Sequence, residues 1–114
     1  MHEMNPKYVK LLLDIAHYKQ GGGEPHEAVV KYKDILHSLH LKDTKPVESK
    51  SGYKFVELGQ GRVDVPAVFA ALKKVKFKGW AVVELDGVPD PDKSPKVCAE
   101  INKKYITESL KYPL

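Results

Sequence analysis

The chain has 114 residues, 42% hydrophobic and 30% charged, with a formal net charge of +4 and a pI near 9.1. That is enough for one domain with a core, and too little for a whole eight-fold barrel, which takes ~250 residues. No apolar run approaches the ~20 residues needed to span a bilayer, and Arg62 is the only arginine among 19 basic residues, so the basic stripe expected of a nucleic-acid surface is absent.

Residues 1–6 read as a polar lead-in, and residues 1–10 lack an apolar signal core, so the expected location is cytoplasmic. Residues 8–16 predict the first strand, followed by the turn Gly21-Gly22-Gly23. Residues 24–33 read as a helix, with Pro25 in its first turn and Ala28, Val29 and Tyr32 on one face. Residues 35–42 are the second strand. Residues 43–52 are polar, contain Pro46 and Gly52, and read as a loop. Residues 53–58 read as a short third strand before the turn Gly59-Gln60-Gly61. Asp64 is placed as an N-cap, with Pro66 in the first turn of a helix ending near Val75. Val68, Leu72 and Val75 give that helix its inward stripe. Residues 80–85 are the fourth strand, 87–95 a Pro/Asp loop and 96–110 the last helix. The lone Cys98 falls in that helix as a small reduced core residue. The order is β-α-β-β-α-β-α, one domain over residues 1–114, without internal repeats.

The chemistry gathers at the ends of three of these strands. Leu11-Leu12-Leu13 runs into Asp14 and His17. The second strand runs through Ser38 to His40, Lys42 and Asp43. Trp80-Ala81-Val82-Val83 runs into Glu84 and Asp86. Apolar runs of this kind, separated by helical patterns, read as buried parallel strands. An α/β barrel keeps its chemistry at the ends of such strands. An Asp, a His and a Glu converging there would suit a divalent cation. A buried carboxylate such as Asp14 is costly unless paired or coordinating.

The segments LLLDIAHYKQGGGEP, HLKD, FVELGQGRVDVPAVFAAL and GWAVVELDGVPDPD resemble the C-terminal half of the xylose isomerase-like TIM-barrel superfamily. That superfamily includes sugar phosphate isomerases and epimerases, inosose dehydratases, ketose 3-epimerases and, more distantly, endonuclease IV. The resemblance runs from about Asn5 to about Leu110, with four segments in the family's order. It implies half of a (β/α)8 barrel, four parallel strands with outer helices, matching the fifth to eighth strands of the family.

The resemblance also implies roles. Asp14, His40 and Glu84 fall where the family binds a divalent metal, Mn²⁺, Co²⁺, Mg²⁺ or Zn²⁺. Glu84 matches a residue that also moves a proton in the epimerases. His17 falls where relatives contact substrate oxygen. Catalytic candidates are therefore Glu84, His17 and Lys42; substrate-binding candidates are His17, Glu57 and Arg62. For His17, Lys42, Glu57 and Arg62 a solvated or turn-stabilising role competes with the functional one. Asp43 and Asp86 are weaker candidates. His2, His26 and His37 have no supporting constellation, and Phe77 and Trp80 read as core. Ser38 stands where many relatives carry another His. Pro46 replaces an Arg of the ketose 3-epimerases, which disfavours that subgroup. The family's fourth ligand, a Glu on the preceding strand, has no counterpart, Glu3 being a poor substitute.

Three functions follow. The first is a metal-dependent sugar isomerase, epimerase or dehydratase acting on a small polyol or hydroxy-ketone. The second is an inactive half-barrel that self-associates or complements a separate N-terminal half. The third, a nuclease resembling endonuclease IV, needs more ligands than these motifs supply. Four parallel strands would leave two unpaired edges and an open inner face containing Leu13, Leu36 and Val83. The expected closure is a homodimer, two copies making one eight-stranded barrel.

Overall fold

A computed structural model describes residue 5 and residues 7–111. Most of the expected lead-in, with His2 and Glu3, lies outside the described residues. The elements in chain order are β1 (Leu11–Asp14), α1 (Ile15–Gln20), α2 (Pro25–Lys31), β2 (Leu36–Leu41), β3 (Asp43–Pro46), β4 (Tyr53–Val56), α3 (Val65–Lys74), β5 (Trp80–Val83) and α4 (Pro95–Lys104). A single wide π-type turn, Tyr105–Ser109, continues α4. This is an α/β fold of parallel strands and helices, as expected.

The parallel sheet has three strands, in the order β1-β2-β5. Leu13 pairs with Leu39 and Asp14 with His40; Leu39 pairs with Ala81 and His40 with Val82. Residues 53–58 do not supply a fourth parallel strand. β4 instead pairs antiparallel with β3 in a separate hairpin, with Thr44 opposite Phe55. Segment 43–46 is polar and ends on Pro46, which hides its strand character. The turn joining the two strands closes through Val47 N–H to Gly52 O and Gly52 N–H to Ser49 O, with Gly52 at φ 80°. Among the described residues the parallel strands therefore number three, where four were expected.

The first strand is also shorter than expected. The chain leaves it at Asp14, whose Oδ1 accepts the N–H groups of Ala16 (3.1 Å) and His17 (3.0 Å) and caps α1. A carboxylate in that position satisfies N–H groups the new helix cannot pair itself. Helices α2 and α3 begin with Pro25 and Pro66 in their first turns. Asp64 caps α3 by accepting Ala67 N–H at 3.1 Å, as its sequence position suggested.

The core lies between the sheet and α1, α2 and α3. Leu13, Ile15, Ala28, Val29, Leu39, Leu41, Val65 and Val68 are buried there. Alternation along the strands assigns the two faces. Leu13, Leu39 and Leu41 point to the helices. Leu12 and Val82 lie on the other face with Asp14 and His40, and are 51% and 47% exposed. Leu13 is 3% exposed, so it belongs to the helix side and not to the open face where it was expected. Val83, expected on the open face as well, shares the helix-side parity of Leu41, its partner in the register.

Candidate metal centre

Parallel pairing brings the C-terminal ends of β1, β2 and β5 side by side. One ligand atom each from Asp14, His40 and Glu84 lies within 4.8 Å of the others. His40 Nδ1 is 2.5 Å from Glu84 Oε2 and 3.8 Å from Asp14 Oδ2. The three side chains are partly buried, at 31%, 33% and 17% exposure in the order His40, Glu84, Asp14. One nitrogen and two carboxylate oxygens form a donor set suited to a divalent ion. An ion with bonds of ~2.0–2.2 Å spaces its ligands ~3–4 Å apart, so small side-chain adjustments bring this trio into range.

Lys42, one residue past β2, enters the same space. Its side chain is 2% exposed. Nζ lies 2.8 Å from Asp14 Oδ2, 2.8 Å from Asp86 Oδ2 and 3.2 Å from Glu84 Oε1. Burial by itself would lower the ammonium's pKa. The hydrogen bonds that it donates to Asp14, Asp86 and Glu84 outweigh burial and raise it, so Lys42 carries its charge at neutral pH. The Lys42 ammonium and the neighbouring Glu84 hold the Asp86 carboxyl below its ordinary range. His17 Nε2 stands 3.8 Å from Asp14 Oδ2 and 3.7 Å from Asp86 Oδ2.

The hairpin contributes an aromatic wall. The Phe55 ring meets the His17 ring edge-on at 5.9 Å and Tyr53 at 5.8 Å, and Lys42 Nζ lies 5.4 Å from its centroid. Sequence reading missed Phe55, because only the antiparallel pairing of β3 with β4 brings it to the cluster. It also underweighted Asp86, whose spacing of two from Glu84 was the available signal.

Three other candidates sit elsewhere. Asp43 is wholly buried and accepts four backbone N–H groups, those of Thr44, Val63, Gly59 and Gly61. Burial pushes its carboxyl up against the pull of those donors. Glu57 is 2% exposed and pairs with Lys93 at 3.0 Å, which in turn meets Asp90 at 3.1 Å. Burial pushes Glu57 up, but hydrogen bonds from backbone and Lys93 prevail and lower it. Arg62 is exposed and donates to Gln20 Oε1 on α1. The structure thus joins His17, Lys42 and Asp86 to the Asp14–His40–Glu84 trio, and gives Glu57 and Arg62 other partners.

A family model described as xylose isomerase-like TIM barrel matches residues 1–108. The chain belongs to that family. The inosose dehydratase of Salmonella typhimurium is 30% identical over 125 residues, covering 97% of this chain and 41% of that protein. That of Geobacillus kaustophilus is 29% identical, covering 93% of this chain and 38% of the relative. The chain thus spans about two fifths of the length of the curated relatives it matches. A sugar phosphate isomerase/epimerase from Parabacteroides distasonis has the same fold over 94% of this chain and 34% of its own, with TM-score 0.77 and 21% identity. An IOLI protein whose crystal structure holds a zinc atom aligns with TM-score 0.68 and 25% identity, over 92% of this chain and 39% of that one. The chain corresponds to part of a TIM barrel.

Proposed function

We propose that this chain carries the divalent-metal half of a sugar isomerase, epimerase or dehydratase site, with inosose dehydratase-like chemistry as the nearest class. The observation that carries the reading is the convergence of Asp14, His40 and Glu84 at the ends of three neighbouring parallel strands. The inosose dehydratase relatives and the zinc-containing IOLI structure support it. Asp14, His40 and Glu84 would hold the ion. When bound, a divalent cation acts as a Lewis acid toward adjacent oxygens of a polyol or hydroxy-ketone. Glu84 moves the proton alpha to the carbonyl. Lys42 donates a hydrogen bond to a substrate oxygen, and His17, on the exposed rim, contacts a hydroxyl. Glu57 and Arg62, paired with Lys93 and Gln20, shape the surroundings.

Of the four strands expected to match the fifth to eighth of the family barrel, the third in chain order, the expected seventh, is the hairpin strand β4, which leaves β1, β2 and β5 in the parallel sheet. Two copies would supply six parallel strands, short of eight. That count favours completion by the complementary part of a barrel over a simple two-copy closure. Full turnover accordingly requires the remaining strand-end loops, because they position substrate.

The test is metal content after dialysis against Mn²⁺, Co²⁺, Mg²⁺ or Zn²⁺, followed by assay with inososes and ketoses. We expect bound metal in the wild type, its loss in an Asp14→Ala/His40→Ala double variant, and little turnover by this chain alone. Equal metal in both proteins would sink the site. Family-level turnover by this chain alone would show that the remaining loops are dispensable.

A further inference from the structure

We infer that Lys42 and Asp86 form a counter-ion pair that sets the strength of divalent-cation binding: Lys42 competes with the ion for Asp14 and Glu84, and Asp86 draws Lys42 away from them. This rests on the metal reading above and assigns a role within it to two residues outside the trio.

The geometry begins with Asp14. Its Oδ1 is committed to the N–H groups of Ala16 and His17 as the cap of α1. Only Oδ2 is left to face the cluster, and it is the oxygen approached by Lys42 at 2.8 Å and by His40 at 3.8 Å. An ion shared between His40 and Asp14 must therefore use the oxygen that Lys42 already holds. An ammonium has three N–H donors. Lys42 has three carboxylate oxygens within reach, one each from Asp14, Glu84 and Asp86. The first two belong to the trio, and the third does not. The side chain is shut from water at 2% exposure, and the Phe55 ring lies beside its Nζ. Solvent therefore cannot readily take the place of a lost carboxylate partner.

Charge counting gives the sign of each perturbation. Three carboxylates against one ammonium leave two negative charges, which one divalent ion neutralises; a ligating imidazole is neutral. Removing the Lys42 charge leaves three negative charges and frees Asp14 Oδ2, so the ion binds more tightly. Neutralising Asp86 leaves one negative charge and transfers Lys42 wholly to Asp14 and Glu84, so the ion binds more weakly. A merely structural role for either residue would weaken binding in both cases.

The experiment is titration of the full chain with Co²⁺, read by visible absorption and by equilibrium dialysis. Lys42→Met is expected to bind Co²⁺ about tenfold more tightly than wild type and Asp86→Asn about tenfold more weakly, a range typical of residues that act on a metal through its ligands. The double variant should bind more tightly than wild type and more weakly than Lys42→Met, because it keeps the wild type's two negative charges but leaves Asp14 Oδ2 free. Circular dichroism checks folding, and Lys42→Gln stands in if the Met variant does not fold. Shifts of the same sign in the two single variants, or no tightening in either Lys42 variant, would overturn the inference. If wild-type binding needs Asp14 and His40 but ignores Lys42, this inference alone fails. If the wild type itself binds no Co²⁺, the metal reading fails with it.

Discussion

Asp43 shows how a motif residue can serve the scaffold. Its Oδ1 accepts Thr44 N–H at 2.8 Å and Val63 N–H at 3.0 Å, while Oδ2 accepts Gly59 N–H and Gly61 N–H, each at 3.0 Å. One carboxylate thereby organises the whole turn between β4 and α3. Only a carboxylate can do this, because both of its oxygens must accept. An amide would turn an NH₂ group toward two N–H donors. Asp43→Asn should cost about 3 kcal/mol or more, since buried donors left unpaired cost about 1–3 kcal/mol each. Urea unfolding should show a lower midpoint at an unchanged slope. A midpoint equal to wild type would disprove the assignment. Gly61 belongs to the same construction: a Cβ there would lie 2.2 Å from Thr44 O and 2.4 Å from Asp43 Oδ1. Gly61→Ala should therefore destabilise comparably.

Among the elements, the hairpin and the loop that follows β5 depend on each other. Lys93 reaches from that loop to the buried Glu57, and Lys54 on β4 donates to Pro89 O at 3.3 Å. The Glu57 carboxyl titrates below its ordinary value of 4.5. Its folded pKa is lower than its unfolded one, so the pair adds stability above the ordinary glutamate range and loses it as pH falls through the folded value. Thermal melts should fall more steeply in wild type than in Glu57→Gln below about pH 4.5. Parallel curves would exclude the linkage. These interactions also mark where sequence reading stopped. The three parallel strands and the Asp64 cap were legible, because apolar runs and capping residues are local signals. The trio was found through strand ends and the resemblance together. The hairpin was not legible, because the β3 segment Asp43–Pro46 is polar and its pairing is set by Asp43 and the Gly52 turn. Nor was the start of α1 at Ile15, since an apolar run continues through Ala16 and only the Asp14 cap breaks the strand. The mistaken face for Leu13 had a simple local remedy: if Asp14 faces the cluster, alternation turns Leu13 away.

At the scale of the whole molecule, β1 and β5 are the outer strands of the parallel sheet among the described residues. β5 is uncovered along its length, with Trp80 78%, Val82 47% and Val83 39% exposed. On the helix side, an open trough of about 1640 Å³ lies between α3, β5 and α4, lined by Leu41, Phe69, Phe77, Ala81, Val83 and Ile106. An edge strand this apolar is a site for pairing with another chain, and a contiguous apolar surface of this kind marks an interface. We therefore predict that β5 is covered in the working protein, by the complementary strands of a barrel or by another copy. The single tryptophan, Trp80, is the reporter, because it sits on that strand. Its fluorescence should shift to the blue as protein concentration rises if copies pair, or when a complementary half is added if the barrel is completed from outside. Light scattering coupled to size exclusion should give a mass above 12.8 kDa in the first case. Val82→Lys, placed on the face shared with His40, should abolish the shift while leaving α-helical circular dichroism intact. A monomer with water-exposed Trp80 emission at every concentration and with the added half, and with cooperative unfolding, would show that the open strand is stable uncovered.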